Sequence, residues 1–155
     1  MLAFFRNVTD KSLFEELGET RLRAIIDRFV DRIADDVMIG FFFRNVDRAR
    51  LKQREYELAA RHLGADIPYT GRPLDVAHAP HPIMGGQFMR RLKLLRDTLE
   101  EQAVPRHIQD HWVAHTERMR PLVTRDVDGA CSASLAAQRV QEHYASLGLA
   151  KKENA

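Results

Sequence analysis

The sequence predicts an all-α fold, and three observations carry that expectation. Apolar residues recur every three or four positions along most of the chain. Capping residues and glycines punctuate those stretches where helices should start and stop. No pair of segments alternates apolar with polar as half-buried strands would.

Taken in order, Ser12 followed by Glu15 forms a capping-box pattern ahead of Leu13, Phe14 and Leu17, and Gly18 ends that short helix. From Thr20, the residues Leu22, Ile25, Ile26, Phe29, Val30 and Ile33 share one helical face, with charged side chains mostly off it. "IGFFFRNVD" interrupts the pattern at Gly40, since three consecutive phenylalanines cannot all share one face. "DRARLKQREYELAARHLG" runs as a further helix to Gly64, a C-terminal stop. After an irregular stretch, "GGQFMRRLKLLRDTLEEQ" resumes helix with Phe88, Leu92, Leu95 and Leu99 in register. "AVP" breaks it, and Pro105 suits the first turn of "RHIQDHWVAHTERMRPLV", with Ile108, Trp112, Val113 and Met119 as apolar contacts. "RDVDGACSAS" reads as a linker, and "LAAQRVQEHYASLGL" as a last amphipathic helix before a charged tail.

Composition narrows the classes. With 155 residues, 45% hydrophobic and 30% charged, the chain suits one soluble globular domain. A net charge of +2 from 24 basic and 22 acidic side chains, intermixed, leaves no basic stripe for nucleic acid. Cys131 stands alone, so no intramolecular disulfide forms, which fits a reducing cytoplasm. The apolar run in "MLAFFRNVTDKS" is too short for a signal peptide, and no segment reaches the roughly 18 apolar residues of a membrane span.

The irregular stretch "PYTGRPLDVAHAPHPIMGGQF", Pro68 to Phe88, needs an explanation, because long structureless loops in compact helical domains are often functional. The neighbouring helices supply Phe29, Phe42, Phe43 and Phe88, an aromatic load large enough to line a pocket for a flat apolar cofactor. Such a cofactor also needs one fixed ligand, and neutral imidazole is the commonest metal ligand. His78 follows the short "LDVA" turn, and His81 sits between two prolines. Pattern alone leaves two readings for His78, a metal ligand or a loop-closing residue.

An ordered series of motifs adds to this: "LFEELGE", "IDRFVDRIADD", "FF" before "RNVDRARLK", "HLGADIPYTGRPLDVAH" and "FMRRLKLLRDTLEEQAVP". In that order they resemble the truncated haemoglobins, the short bacterial and protist branch of the globins, over residues 12 to about 123. "PYTG" followed shortly by "AH" is similar to the group I branch, and "HAPHPI" to group II. The resemblance implies a two-over-two sandwich of helices around haem b, with an extended loop before the iron-binding histidine. It divides the chain into an N-terminal extension at 1–11, a haem domain at 12–123, and a linker, additional C-terminal helix and tail at 124–155. It places the iron ligand on His78, and an aromatic residue stacked on the porphyrin at Phe43, leaving Phe41 and Phe42 as core or helix-packing residues. Phe29, Leu51, Ile83, Phe88 and Leu95 match further pocket or core positions. Tyr69, with Lys52 or Arg54, would meet the haem propionates, although Lys52 also suits a solvated helix face.

On the ligand-binding side the chain departs from the family pattern. The residue after Phe29 is usually a tyrosine that donates to iron-bound oxygen; Val30 has no donor, which argues against efficient nitric oxide dioxygenation. Leu51 and Glu55 would overhang the iron, with Glu55 where the family often has glutamine. Two expectations follow. Either Glu55 and Arg54 support peroxidase-like or other redox chemistry, Glu55 moving a proton and Arg54 stabilising a departing oxygen, or Glu55 turns outward to Arg54 or Lys52 and leaves an apolar pocket. Glu55, and more remotely His62, are candidate sixth iron ligands.

The implied partners are a diatomic ligand (oxygen, carbon monoxide or nitric oxide) or peroxide, and a reductase, in a monomer or homodimer. A rival from another class is a zinc or di-iron helical protein using His107, His111 and His115, four residues apart on one helical side. A third expectation is a haem-free sensor domain on a globin-like scaffold, with the extra helix near 132–147 making a dimer contact.

Overall fold

The computed structural model describes residues 10–126 and 129–149, and among these every regular element is helical. They are α1 (Leu13–Leu17), α2 (Glu19–Ala34), a 3₁₀ turn (Gly40–Phe43), α3 (Arg48–His62), α4 (Leu74–His78), α5 (Gly85–Glu101), α6 (Arg106–Arg118), α7 (Arg120–Val123) and α8 (Gly129–Ser146). The expected N-terminal extension, apart from residues 10 and 11, and the tail from residue 150 lie outside the described residues.

Local chemistry accounts for the boundaries. The Ser12 hydroxyl accepts from the Glu15 amide at 3.1 Å while the Glu15 carboxylate accepts from the Ser12 amide at 3.0 Å, so the capping box forms as the sequence suggests. Asp47 caps α3 by accepting from the Arg50 amide at 3.0 Å. Gly40 lets the chain reverse tightly after α2: a Cβ there would lie 2.6 Å from the Ala34 carbonyl oxygen. Gly64 ends α3 at a φ of +106°, a conformation that side-chain-bearing residues rarely adopt.

α2 is the centre of the core. All six residues of its apolar face, Leu22, Ile25, Ile26, Phe29, Val30 and Ile33, are buried. α2 packs on both α3 and α5, and α5 in turn packs on α6, bringing Phe88, Leu92, Leu95 and Leu99 against Ile108 and Trp112. Burying each large apolar side chain contributes about 1.5–3 kcal/mol, so this face organises the fold. The paired helices α2/α3 and α5/α6 leave the long α3–α5 connection, with α4 inside it, to close one side.

Two expectations are corrected. The stretch read as a linker to Ser134 turns helical at Gly129, so α8 takes in "GACSAS"; its alanines favour helix more than the serine and glycine pattern suggested. Phe41 is not a core residue: it is 46% exposed on the 3₁₀ turn, while Phe42 and Phe43 face inward.

Candidate functional site

A cavity of about 280 Å³ opens between α3, α4, α5, α6 and α8. Its apolar walls include Phe42, Phe43, Val46, Leu58, Ile83, Phe88 and Met119. Polar groups reach it at two places: Glu55, His78, His81 and Arg91 form one group, and His62, His115 and His143 another.

His78 is presented by its own short helix. Its Nδ1–H donates to the Leu74 carbonyl at 2.7 Å, which fixes the tautomer and leaves Nε2 with a free lone pair. Burial pushes the pKa of His78 down, against the hydrogen bond to Leu74, so the ring is neutral, as a metal ligand must be. His81, also on the cavity wall, meets the Phe42 ring edge-on at a centroid distance of 6.4 Å.

The loop leading to α4 is anchored by a buried carboxylate that the sequence did not advertise. Glu57 accepts from the Thr70 amide at 2.8 Å, the Thr70 hydroxyl at 2.9 Å and the Gln53 amide nitrogen at 3.0 Å. Burial pushes its pKa up, but these bonds and the nearby Arg54 outweigh burial and hold it below the usual range. Arg54 serves this anchor: its guanidinium donates to the Thr70 hydroxyl and lies 3.7 Å from Glu57. It does not line the cavity.

The arginine beside Glu55 is Arg91 of α5. Its Nη2 donates to Glu55 Oε1 at 2.7 Å, and its guanidinium carbon sits 4.9 Å from the centroid of the Phe29 ring. The side chains are only 27% and 21% exposed. Sequence reasoning missed Arg91, yet a signal was present: it falls three residues after Phe88 and four before Leu95, on the apolar stripe of α5.

Phe43, Glu55, His78, Ile83 and Phe88 of the sequence candidates therefore share the cavity. Phe29, Val30 and Leu95 lie in the core behind it, Phe29 acting on it through Arg91. Leu51 packs partly buried against that core. Tyr69 donates its hydroxyl to the Arg72 carbonyl at 2.8 Å, and burial pushes its pKa up to about 12, so it stays a donor committed to its own loop. Lys52 pairs on the surface with Asp27 at 2.6 Å and Asp31 at 3.0 Å.

The histidine row of α6 does not converge on a metal. His107 meets Glu16 at 2.9 Å, His111 donates to the His62 carbonyl at 2.9 Å, and His115 stacks on the His62 ring at 4.2 Å. Among the described residues no group of three or more His, Cys, Asp or Glu side chains could hold a metal ion. The stacking of His62 between neighbours leaves its Nδ1 buried without a partner.

A short helix presenting a neutral imidazole to an aromatic-walled cavity, between two helix pairs, is the arrangement that comparison resolves. The family model for bacterial-like globins matches residues 12–125. The chain belongs to that family. The globin is 30% identical over 106 residues to the group 1 truncated haemoglobin GlbN of Mycolicibacterium paratuberculosis, a match covering 68% of this chain and 78% of the relative. Among solved structures, a mutant truncated haemoglobin of Tetrahymena pyriformis in its Fe(III) form superposes with a TM-score of 0.69 at 22% identity, covering 74% of this chain and 98% of the other. The 2/2 haemoglobin of a Synechococcus species, in the cyanomet state with covalently attached haem, gives 0.63 at 24% identity, covering 69% and 91%. The fold is thus the two-over-two truncated-globin fold, and haem is the cofactor of the family. The residues present fit it: apolar and aromatic walls for a flat macrocycle, and one imidazole whose tautomer is fixed for ligation.

Proposed function

We propose that this globin holds haem b through Nε2 of His78 and binds a small ligand (oxygen, carbon monoxide, nitric oxide or a peroxide) under the control of Glu55 and Arg91. The observation that carries this is the 2.7 Å bond from His78 Nδ1 to the Leu74 carbonyl, which commits the opposite nitrogen of a cavity-lining imidazole to ligation. Haem, when bound, supplies an iron that takes up small ligands and changes oxidation state. Phe43, Ile83 and Phe88 supply the walls that exclude water from it. The carbonyl behind His78 raises the basicity of the ring and holds its plane.

Glu55 and Arg91 support a second, peroxidase-like reading of the same site. A carboxylate able to take a proton stands 2.7 Å from a guanidinium able to stabilise negative charge, both on the cavity wall. The division of labour first expected of Glu55 with Arg54 thus falls to Glu55 with Arg91. The Val30 side chain, buried in the core, adds no donor, and Glu55 and Arg91 are the charged pair on the wall that can meet a ligand. A cytoplasmic setting with a reductase that returns the iron to its ferrous state completes the proposal. Among the described residues no helix is long and apolar enough to cross a membrane.

Absorption spectra of ferric, ferrous and carbon monoxide-bound protein, beside those of His78→Ala, test the proposal. The expected result is a Soret band that moves on reduction and again with carbon monoxide, and that is lost or altered without His78. A His78→Ala protein with unchanged spectra would move the iron ligand elsewhere. For the second reading, Glu55→Gln should slow the reaction with peroxide by about a hundredfold; an unchanged rate removes Glu55 from any such chemistry.

A further inference from the structure

The helix that carries His78 is too short to hold itself. α4 has five residues, and no side chain of its own neighbourhood caps its N-terminus. The residue before it is Pro73, so the first amide that needs a partner is that of Leu74. That partner comes from α8: the Leu74 amide donates to Nε2 of His143 at 3.0 Å. His143 is only 3% exposed, so this bond is largely shielded from bulk water.

Leu74 is also the residue whose carbonyl receives the Nδ1 proton of His78, at 2.7 Å. One residue is therefore gripped from both sides, by a histidine of α8 through its amide and by the cavity histidine through its carbonyl. A shift of Leu74 along the α4 axis turns the His78 ring with it. The next residue of α8 reaches the same helix, Tyr144 donating to Asp75 at 3.4 Å. The far end of α8 is fixed in turn, since Arg61 of α3 donates to the Ser146 carbonyl through Nη2 at 2.7 Å and to the Ile67 carbonyl. Ser146 and Leu147 complete part of the cavity wall.

All of α8 lies beyond residues 12–125, the part of the chain that matches the family model. From these contacts we infer that His143 is a positioning residue for His78: through the Leu74 amide, the added C-terminal helix sets the orientation of the imidazole that ligates haem. This rests on His78 being that ligand, and a His78→Ala arm separates the two claims, because haem bound unchanged without His78 refutes the ligand assignment itself.

The test replaces His143 in the haem-bound full chain with Phe, which keeps the ring and removes the acceptor, and with Gln, which restores an acceptor. The readouts are the iron–histidine stretching frequency of the ferrous protein and the rate of haem transfer to apomyoglobin. His143→Phe should shift the frequency and speed haem loss about tenfold, with His143→Gln lying nearer the unaltered protein. As a packing control, Val140→Ala, at a partly buried position of α8 outside the cavity wall, should leave the frequency in place. An unchanged frequency in a folded His143→Phe protein, or the same shift in Val140→Ala, overturns the inference. If His143→Phe does not fold, hydrogen exchange at the Leu74 amide of the unaltered protein decides: slow exchange supports the bond to His143, and exchange at the rate of the open loop refutes it.

Discussion

The two polar ends of the cavity solve the problem of burying polar groups in opposite ways. At one end Glu55 and Arg91 are charged, and each neutralises the other across 2.7 Å. At the other, His62, His115 and His143 have no carboxylate within hydrogen-bonding distance among the described residues, and their rings are kept neutral instead. Burial pushes all three pKa values down; that of His115 falls to about 4, with His111 and Arg118 adding to the effect. The charged end is held by its ion pair, whereas the imidazole end is neutral only while protons are scarce.

The largest expected effect separates the ends by pH. In the unfolded chain the His115 imidazole takes up its proton near 6.5, and in the folded chain only near 4. Between those values the unfolded state binds more protons, so stability falls as pH drops through that window and flattens below it. His115 alone accounts for on the order of 3 kcal/mol across the window. Denaturant unfolding of the haem-free protein at steps from pH 7 to pH 4 should show this slope, and His115→Phe should reduce it, leaving the part that His62 and His143 contribute. A slope undiminished by the substitution assigns the dependence to those other groups.

A smaller effect sharpens the charged end. Arg91→Leu strands the Glu55 carboxylate on a half-buried wall and should cost about 1–3 kcal/mol, whereas the Glu55→Leu, Arg91→Leu double variant should recover most of it. Additive losses in the double variant would show that the two side chains act independently of their contact. The smallest effect belongs to a pair of similar length outside the cavity. Lys52→Ala removes the contacts to Asp27 and Asp31 on exposed helix faces and should cost less than about 1 kcal/mol. A larger loss would mean that surface and cavity pairs differ less than their burial implies.

The sequence was most informative where structure is local. The six apolar residues of α2 were legible as one face because helical period alone puts them there, and the Ser12–Glu15 box because its partners are three residues apart. His78 stood out through the break in helical pattern around it and the motifs that flank it. Arg54 and Arg91 show where this limit falls. Adjacent to Glu55 in sequence, Arg54 turns to Thr70, while the true partner comes from a helix 36 residues away. The same holds for Glu57, one more charged residue in "REYEL" until the loop folds back onto it. The bond between Leu74 and His143 spans 69 residues and depends on how α8 packs, which no periodicity encodes.

That long span also orders events in time. A ribosome extends a chain at about 5–20 residues per second, so His143 emerges roughly 3–13 seconds after His78. For that interval the nascent chain carries Leu74 and His78 without the α8 histidine that grips them, and contacts of such separation form late in folding. The contact that fixes Leu74 is therefore made well after its own segment, and slowing the ribosome between these two codons should delay it.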